Sequence, residues 1–487
     1  MKKLLYLSLV LLYLLCQPYF AQAQSRTKAS VDFTYIPDKG EDRYNQRIAH
    51  KTIPVGQGEF VILSRSTADS YKVERYNSDL KKQWTAELKL RDSETVETFF
   101  ANKGAAIVVT HRNSGQESQQ LYGHLINLGS GKKEAGVLLL EAPAKARRAG
   151  IAASHDGSRL LAYRYQTDPD YQIQHISGVL YDGKLQKLQE TAYDLSDVVG
   201  ILSADVQVSN GGKQYISLIS DNMNRLTTRE YSPGGTEARV MSVLVGGVFD
   251  GEKVYILDSR FRLMPEGLLY GAVLTANEET GKYYSLKAVK FDFEHEDMVF
   301  AEEFRFTPEY LSKINALDKS SNPKPGRLED IYLTDLLLSP ERKLVVIAEK
   351  KYTEGGESAP YFARELHLFA YDEYMGTDWN SVLMKHQQAP ADEAFSGISY
   401  SSYLNGSTLN LLTLEELDGK HDLYLRQINT RNGEAATPRA IGLNVANDKN
   451  LAYVKDFTAW LADKDIVTVV RPSRRADGLK LSRILIK

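Results

Sequence analysis

Residues 149–193 read AGIAASHDGSRLLAYRYQTDPDYQIQHISGVLYDGKLQKLQETAY, and this stretch decides the fold. It contains four short runs of strand-forming residues, Ala149–Ala153, Leu160–Tyr165, Gln174–Tyr181 and Leu185–Tyr193. The turns between them carry Asp156-Gly157 and Asp182-Gly183, and Asp-Gly pairs favour tight hairpins because glycine accepts a positive φ. The stretch therefore predicts one four-stranded antiparallel sheet.

The second and most apolar run of this sheet recurs along the chain. Such runs begin, 45 to 76 residues apart, at Phe60, Ala105, Leu160, Gln214, Leu268, Leu344, Leu409 and Asp465. Repeated four-stranded sheets predict a β-propeller, in which the second strand of each blade is buried on both faces. We predict one all-β domain of eight blades over residues 24–487, with seven blades as the alternative, and Trp84 as a filler between blades.

The last repeat has only three strands before the chain ends at Lys487. We expect Val31–Ile36 to supply the missing outer strand, because this pairing removes two exposed sheet edges at once. The alternative is that Val31–Ile36 forms a loose arm.

One segment departs from the β pattern. Thr307–Leu317 predicts a helix, since Thr307 can cap it and Pro308 suits its first turn. Tyr310, Leu311 and Ile314 then share one face. The following residues, up to Arg327, have the composition of a surface linker, and we expect the whole insertion 307–327 to act as a lid or brace between blades five and six.

The N-terminus predicts a signal peptide, residues 1–23. Two lysines precede the apolar stretch Leu4–Cys16, and Ala21-Gln22-Ala23 offers small residues for cleavage. Thirteen apolar residues are fewer than the roughly 20 of a membrane-spanning helix, so we expect an exported protein that does not span the membrane. Its address would be the periplasm, the outer-membrane surface or the extracellular medium. Lipid anchoring at Cys16 is the alternative, which the preceding leucines disfavour.

The mature composition excludes several classes of function. Its 58 basic and 63 acidic residues give a net charge of −5, which argues against nucleic-acid binding. Removal of Cys16, the only cysteine, excludes disulfides and thiolate chemistry. Neither His-Glu-x-x-His nor Gly-x-x-x-x-Gly-Lys is present, so no metal and no cofactor are predicted.

The turn Ser154-His155-Asp156-Gly157, followed by Leu160–Tyr163, resembles the Ser-Pro-Asp-Gly repeat of TolB-like propellers and of the propeller in prolyl-oligopeptidase-type peptidases. His155 stands here in place of the proline. The chain as a whole also resembles uncharacterised secreted propeller proteins of Gram-negative bacteria. The resemblance implies the fold. The peptidases carry a further domain with a Gly-x-Ser-x-Gly motif, which this sequence lacks, so no catalytic residue is predicted.

Candidate ligand-binding residues come from one face of the predicted propeller, where the second strand of each blade ends. These strand ends are Arg65, Arg112, Arg164, Asp221, Asn277, Lys350, Glu415 and Arg471. Five of the eight are basic, and converging cations suit a carboxylate, phosphate or sulfate group. The alternative is that each is an ordinary solvated strand end that pairs with a neighbouring acid.

Tyrosines are also frequent at or beside this face. They are Tyr163, Tyr165, Tyr171, Tyr283, Tyr284, Tyr352 and Tyr361. They could stack on sugar rings or on a protein partner, or simply fill gaps between blades. From these strand ends and tyrosines the predicted binding set is Arg65, Arg112, Arg164, Tyr165, Asp221, Lys350, Tyr352 and Arg471.

The function predicted from these features is non-catalytic recognition of a protein or glycan of the cell envelope, with an anionic group on the ligand. Two alternatives remain open. The first is a carbohydrate-active or other hydrolytic propeller enzyme that uses paired carboxylates in the channel mouth. The second is a scaffold of an envelope complex, which predicts an exposed apolar patch.

Overall fold

The computed structural model contains eight antiparallel β-sheets that follow one another along the chain. It describes residues 25–38, 48, 50–115, 117–235, 237–318, 326–356, 359–391, 393, 395–448 and 450–486. Within each sheet the main strands are ordered as they occur in the sequence, which is the connectivity of propeller blades. The prediction of an all-β propeller with eight blades is confirmed.

The first four blades have four strands each, and a single strand, β1 (Arg26–Phe33), precedes them. Blade one contains β2 (Thr52–Gly56), β3 (Glu59–Thr67), β4 (Ser70–Tyr76) and β5 (Lys82–Lys89). Blade two contains β6 (Glu94–Ala101), β7 (Ala105–Ser114), β8 (Ser118–Asn127) and β9 (Val137–Pro143). Blade three contains β10 (Gly150–Ala153), β11 (Arg159–Thr167), β12 (Ile173–Asp182) and β13 (Lys187–Tyr193). Blade four contains β14 (Ser203–Val208), β15 (Gln214–Ser220), β16 (Arg225–Tyr231) and β17 (Ala238–Leu244).

Blades five and six carry additional short strands. Blade five contains β18 (Gly247–Phe249), β19 (Glu252–Leu263), β20 (Leu269–Asn277), β21 (Tyr283–Asp292), β22 (Asp297–Phe300) and β23 (Phe304–Arg305). Blade six contains β24 (Ile331–Leu338), β25 (Leu344–Thr353), β26 (Tyr361–Tyr371), β27 (Thr377–Leu383) and β28 (Gln387–Ala389). Blade seven contains β29 (Ser401–Asn405), β30 (Thr408–Leu417), β31 (Lys420–Asn429) and β32 (Arg439–Ala440). Blade eight contains β33 (Tyr453–Ala462), β34 (Asp465–Val470) and β35 (Leu479–Leu485).

Strand β1 completes blade eight, as the sequence predicted. It pairs antiparallel with β35, from Arg26 opposite Leu485 to Phe33 opposite Leu479. The strand begins and ends earlier than the predicted Val31–Ile36. Its polar first half, Arg26–Ser30, is mostly exposed on both faces and therefore carries no apolar alternation. Residues 34–38 leave the sheet because other contacts hold Pro37 and Asp38: the Pro37 carbonyl accepts a hydrogen bond from Arg65, and Asp38 pairs with Lys51.

The apolar core lies between the blades. Among the described residues, eight clusters of buried side chains each join two consecutive blades, and the last of them joins blade eight to blade one. Trp84 shows the arrangement in detail, since this blade-one residue packs on the blade-one and blade-two cluster and donates its indole N–H to the Leu128 carbonyl at 2.8 Å. The predicted inter-blade role of Trp84 is confirmed. Burial between blades is the main stabilising contribution, and it closes the ring.

The first long strand of each blade lies nearest the propeller axis and is called its first strand from here on. In blade five this is β19, which follows the short β18, and the second strand is β20. Contacts join β2 to β6, β6 to β10, β10 to β14, β14 to β19, β19 to β24, β29 to β33 and β33 to β2. Hydrogen bonds complete the ring between β24 and β29, from the Thr334 hydroxyl to that of Tyr400 at 2.7 Å and from Ser402 to Asp335 at 2.8 Å. Side chains on the inner face of this ring line a central channel.

Helix α1 (Pro308–Leu317) braces blades five and six. Thr307 caps it, accepting a hydrogen bond from the Tyr310 N–H, and Tyr310 and Ile314 are buried in the cluster that joins these two blades. The Tyr310 hydroxyl also hydrogen bonds to Nδ1 of His367 in β26 at 2.9 Å. The helix is therefore the predicted brace, whereas residues 319–325 of the predicted linker lie outside the described residues.

The predicted signal peptide, residues 1–23, also lies outside the described residues and stays a prediction, as do cleavage, export and the alternative anchor at Cys16. No helix in the described part of the chain is long and apolar enough to cross a membrane.

Candidate functional site

One face of the propeller, here called the loop face, carries the connections from the second to the third strand of each blade. The connections from the fourth strand to the next blade emerge there as well. The predicted binding residues lie on second strands or just beyond them on this face. Because neighbouring strands are about 4.8 Å apart, second-strand residues lie one strand further from the axis than the residues that line the channel.

Three arginines of the predicted set are held by their own surroundings. Arg65 donates hydrogen bonds to three backbone carbonyls, those of Pro37, Thr67 and Ala68, at 2.7–3.0 Å. Arg164 donates to the Ser177 hydroxyl at 3.1 Å and to the Glu141 carbonyl at 2.9 Å. Arg471 is buried and forms an ion pair with Asp448. These guanidinium groups therefore stabilise the loops and strands around them.

The remaining strand-end residues also make their contacts with neighbouring residues of the protein or face solvent. Lys350 lies over the ring of Tyr352, 5.6 Å from its centroid, and Tyr352 stacks on Phe362 at 4.9 Å. Asp221 is exposed in a turn with a φ of +53°. Glu415 receives two hydrogen bonds from Arg426, at 2.8 and 2.7 Å. The side chain of Asn277 donates to Glu252 at 3.1 Å.

Arg112 differs from the other arginines, because its buried Nε has no hydrogen-bond partner among the described residues. Each member of the predicted ring belongs to a different blade, and the contacts described above join none of them to another. Binding by this ring stays a prediction.

The tyrosines of this face divide into packing residues and accessible ones. Tyr361 is buried, the Tyr283 hydroxyl donates to the Ile331 carbonyl at 2.8 Å, and the Tyr284 ring lies under Arg305. Tyr171, by contrast, is 70% exposed. Tyr163 and Tyr165 meet edge to face, with ring centroids 5.5 Å apart, beside the channel.

The channel wall is shaped by β-bulges in the first strands. The pairing register shifts by one residue at Glu97 in β6, at Leu257 in β19 and at Thr334 in β24. A larger shift in β33 leaves residues 455–458 opposite a single partner position. A bulge bends its strand and re-aims the side chains that follow, and bulges are frequent beside functional sites.

Two aspartates line the channel in blades four and five. Asp205 is exposed to solvent by surface area although protein surrounds its carboxyl completely, which is the environment of a solvent-filled channel. Burial raises the pKa of Asp205 against the opposing hydrogen bond from Gln207 and the charge of Arg260. Burial likewise raises the pKa of Asp258, whose carboxylate accepts a hydrogen bond from the Leu333 N–H at 2.9 Å.

Arg260 is the central cation of the site. Its charge acts on both Asp205 and Asp258, and also on Lys351 and Tyr400. Its side chain is exposed, and its guanidinium forms no hydrogen bond or ion pair with any residue that the structure describes. Among the described residues, none occupies the five N–H groups of Arg260, which could therefore donate to a ligand.

The charge of Arg260 also acts on two titratable groups of other blades, Lys351 and His50. Burial lowers the pKa of Lys351, assisted by the charges of Lys455, Lys385 and Arg260, while Glu349 opposes this effect. Burial also lowers the pKa of His50, assisted by Lys455. Asp335 and Asp456 oppose the shift of His50. The charges of Arg260, Lys351 and Lys455 repel one another, and an anion that enters beside them would relieve part of this repulsion.

We define the channel site as Asp205, Asp258, Arg260, Lys351, Tyr400 and His50. Sequence reasoning missed these residues because it followed the second strands. Tyr165 is the predicted residue that adjoins the site, with its hydroxyl 3.5 Å from the Ala204 carbonyl and its pKa raised by burial and by Asp205. A usable signal was present in Asp258-Ser259-Arg260, which places three polar residues inside a first strand that otherwise alternates. In the described part of the chain no cluster of three or more His, Cys, Asp or Glu residues could hold a metal.

Comparisons with known proteins give no family. No protein-family model matches the chain, and no curated protein matches it. Solved structures similar to it include the β-propeller domain of the trilobed protease from Pyrococcus furiosus, with 10% identity, 78% of this chain and 91% of that chain covered, and a TM-score of 0.34.

Polysaccharide lyase Uly1 has 11% identity to the chain over 84% of this chain and 97% of that one, with a TM-score of 0.38. A puromycin-hydrolyzing peptidase of Mycobacterium tuberculosis has 13% identity over 92% of this chain, with a TM-score of 0.36. The matched region spans only 62% of that peptidase. Identities and TM-scores this low do not transfer a function, and the resemblance to TolB-like repeats stays a prediction.

Proposed function

We propose that this protein is an exported recognition propeller that binds an anionic group of a protein or glycan ligand in its central channel. The ligand's anion would lie against Arg260 in the channel site. The cell envelope would supply the partner, as expected for a protein with a cleaved signal peptide. The proposed ligand has the chemistry predicted from the sequence, but its binding site lies on the first strands of the blades and not at the ends of the second strands.

The observation that carries the proposal is the state of Arg260. Arg260 is exposed, acts electrostatically on two carboxyls, and has no hydrogen-bond partner among the described residues, which suits a guanidinium that receives a ligand. Hydrogen bonds to a charged group contribute about 1.5–3 kcal/mol, roughly twice as much as neutral ones. Burial raises the pKa of Asp205 and of Asp258, which is the direction that favours their neutral forms beside Arg260.

The test is ligand binding by matched arginine variants. Sulfate, phosphate and glucuronate, followed by an array of uronate-containing and sulfated glycans, are screened by thermal shift and titration calorimetry. Arg260→Ala should weaken binding of the best anion by about 10- to 100-fold, whereas the control Arg164→Ala should not change it. Unchanged affinity in Arg260→Ala contradicts the proposal. Loss of binding in an Arg112→Ala/Arg164→Ala double variant, with Arg260→Ala unaffected, would favour the second-strand ring instead.

A second candidate function is hydrolysis, and one observation favours it. Asp205 and Asp258 are two carboxyls on which the charge of Arg260 acts, and burial raises the pKa of each. A carboxyl with a raised pKa serves as a general acid in glycoside cleavage, while a second carboxylate acts as nucleophile or base. Release of reducing sugar from an oligosaccharide that binds the wild type, abolished in Asp258→Asn and in Asp205→Asn, would support this candidate. Binding without turnover would reject it.

A further inference from the structure

Five large apolar side chains are exposed together on the loop face of blades three to five. We call them the apolar ridge: Tyr171, Val199, Met223, Leu244 and Val248. Val199 is 82% exposed, Tyr171 70% and Val248 67%. Single exposed apolar residues are ordinary, but a set that shares one surface of a soluble domain marks an interaction site.

Hydrogen bonds tie the loops that carry the ridge to one another. The Ile173 N–H donates to the Ile201 carbonyl at 2.8 Å, and Arg147 donates to the carbonyls of both Tyr171 and Leu202, so the Tyr171 and Val199 loops are tied together. The Leu202 N–H then donates to the Ile219 carbonyl at 2.8 Å, immediately before the turn that holds Met223.

The Met223 turn is fastened in the same way to blade five. Its carbonyl accepts a hydrogen bond from the Ile256 N–H at 2.8 Å, and the neighbouring Asn224 carbonyl accepts from Val245 at 2.8 Å. The residues between Val245 and Ile256 include Val248, so the ridge rests on fixed loops of three blades. A fixed surface loses little conformational entropy when a partner binds.

Two ridge residues adopt a backbone conformation that disfavours them. Tyr171 has a φ of +62° and Met223 a φ of +64°, in the left-handed region where a Cβ costs roughly 1–2 kcal/mol. Glycine at either position would relieve the strain and remove an exposed apolar side chain as well. Backbone strain and an exposed apolar side chain thus coincide at two positions of one surface. Strained backbone tends to concentrate at binding sites.

The loops that carry the ridge are acidic. Residues 168–172, 194–202, 221–224, 245–253 and 278–282 hold nine carboxylates and two lysines. The carboxylates are Asp168, Asp170, Asp194, Asp197, Asp221, Asp250, Glu252, Glu278 and Glu279. Asp197 and Asp250 pair with Arg229 and Arg305. The other seven form no ion pair with any described residue. The Arg147 guanidinium lies beside the Tyr171 and Leu202 carbonyls, and the charge of Arg229 acts on Asp194. Carboxylates still outnumber cations, so the border of the ridge carries a net negative charge.

We propose that the apolar ridge is the docking surface for a protein partner that presents an apolar strip bordered by lysine or arginine. The apolar side chains bury against that strip, and the acidic border pairs with the basic one. The border disfavours an anionic membrane surface, because its charges would repel the lipid headgroups. It also disfavours a second copy of the same ridge, since like charges would then face each other. This surface is separate from the channel site and does not depend on the function proposed for it.

The test uses a synthetic 14-residue amphipathic peptide of leucine and lysine, with a leucine and glutamate peptide of equal length as its counterpart. Fluorescence anisotropy measures binding to the wild type, to Tyr171→Gly/Val199→Ser and to Tyr374→Gly. Tyr374 is 76% exposed in the turn between β26 and β27 on the opposite face, so its variant is the matched control. Because Tyr171→Gly relieves a strained backbone, the ridge variant should retain the wild-type melting temperature.

The proposal predicts that the leucine and lysine peptide binds the wild type and Tyr374→Gly alike, and that the ridge variant binds at least about tenfold more weakly. The glutamate peptide should not bind, and Asp170→Lys/Asp221→Lys should weaken the lysine peptide in a salt-dependent way. Equal binding by wild type and ridge variant overturns the proposal, as does absence of binding. Ridge-dependent flotation with phosphatidylcholine vesicles, or ridge-dependent dimerisation in light scattering, would assign the surface to lipid or to a second copy and would also overturn it.

Discussion

Gly433 and Gly419 offer a matched test of how the blades are fastened together. Both lie in turns of blade seven with nearly equal φ, +73° and +71°. A Cβ at Gly433 would lie 2.6 Å from Cδ2 and Cε3 of Trp379, whereas a Cβ at Gly419 would meet nothing within 4 Å. Trp379 belongs to the outer strand of blade six and donates its indole N–H to the Thr430 carbonyl at 2.9 Å. The glycine therefore admits the indole between the two blades.

The two alanine variants separate backbone strain from the inter-blade contact. Gly419→Ala should lower the free energy of unfolding by about 1–2 kcal/mol, the cost of a Cβ in the left-handed region. Gly433→Ala should lower the free energy of unfolding by the same amount and by about 1–3 kcal/mol more, because the Trp379 indole must move to make room for the new Cβ. Urea denaturation followed by tryptophan fluorescence measures both. In a Trp379→Leu background the cost of Gly433→Ala should fall to that of Gly419→Ala. Equal costs in the wild-type background would refute the reasoning.

Two further predictions concern buried ionisable groups. Lys385 and Glu349 are both fully buried, with Nζ 2.7 Å from Oε1. Lys385→Met leaves the Glu349 charge buried without its partner and should lower the free energy of unfolding, measured by urea denaturation, by about 3–5 kcal/mol. Lys385→Met/Glu349→Leu should recover much of this loss, and a double variant as unstable as Lys385→Met would contradict the prediction. Burial, assisted by the charge of Lys350, lowers the pKa of His367 to about 3, against about 6.5 when unfolded. As the pH falls below about 6.5 the unfolded chain takes up this proton first, so His367 should make stability rise with pH between about 3 and 6.5, at up to roughly 1.4 kcal/mol per pH unit. His367→Asn should lack that part of the slope in urea titrations, and an unchanged slope would exclude the explanation.

The sequence predicted the blades because their second strands are buried on both faces. The runs that begin at Leu160, Gln214 and Leu344 are apolar almost throughout, and β11, β15 and β25 lie there. The closing strand was found from a shortage of one strand in the last repeat, although its bounds were wrong. Its polar first half, Arg26–Ser30, carries no alternation to detect.

The channel site could not be found in the same way. One extra residue in a strand reverses which side chains face inwards. Because β19 has a bulge at Leu257, the face of the sheet on which Arg260 lies cannot be predicted by continuing the alternation of the residues before the bulge. The basic strand ends were visible, but a strand end reveals nothing about its hydrogen-bond partners. The carbonyls that hold Arg65 lie in two separate segments, and only the fold brings Pro37 to it.

The central claim is a ring of eight blades closed by β1, and a disulfide across that closure tests it most directly. Ser30 lies opposite Ser482, with their hydroxyl oxygens 3.0 Å apart although the two residues are 452 positions apart in the sequence. In a Cys16→Ser background, Ser30→Cys/Ser482→Cys should form an intramolecular disulfide in air, identified by mass spectrometry of its tryptic peptides. Ser30→Cys/Ser203→Cys, whose second cysteine would stand in blade four, should remain reduced. Absence of the Ser30–Ser482 link, or equal oxidation of both pairs, would contradict the closed ring.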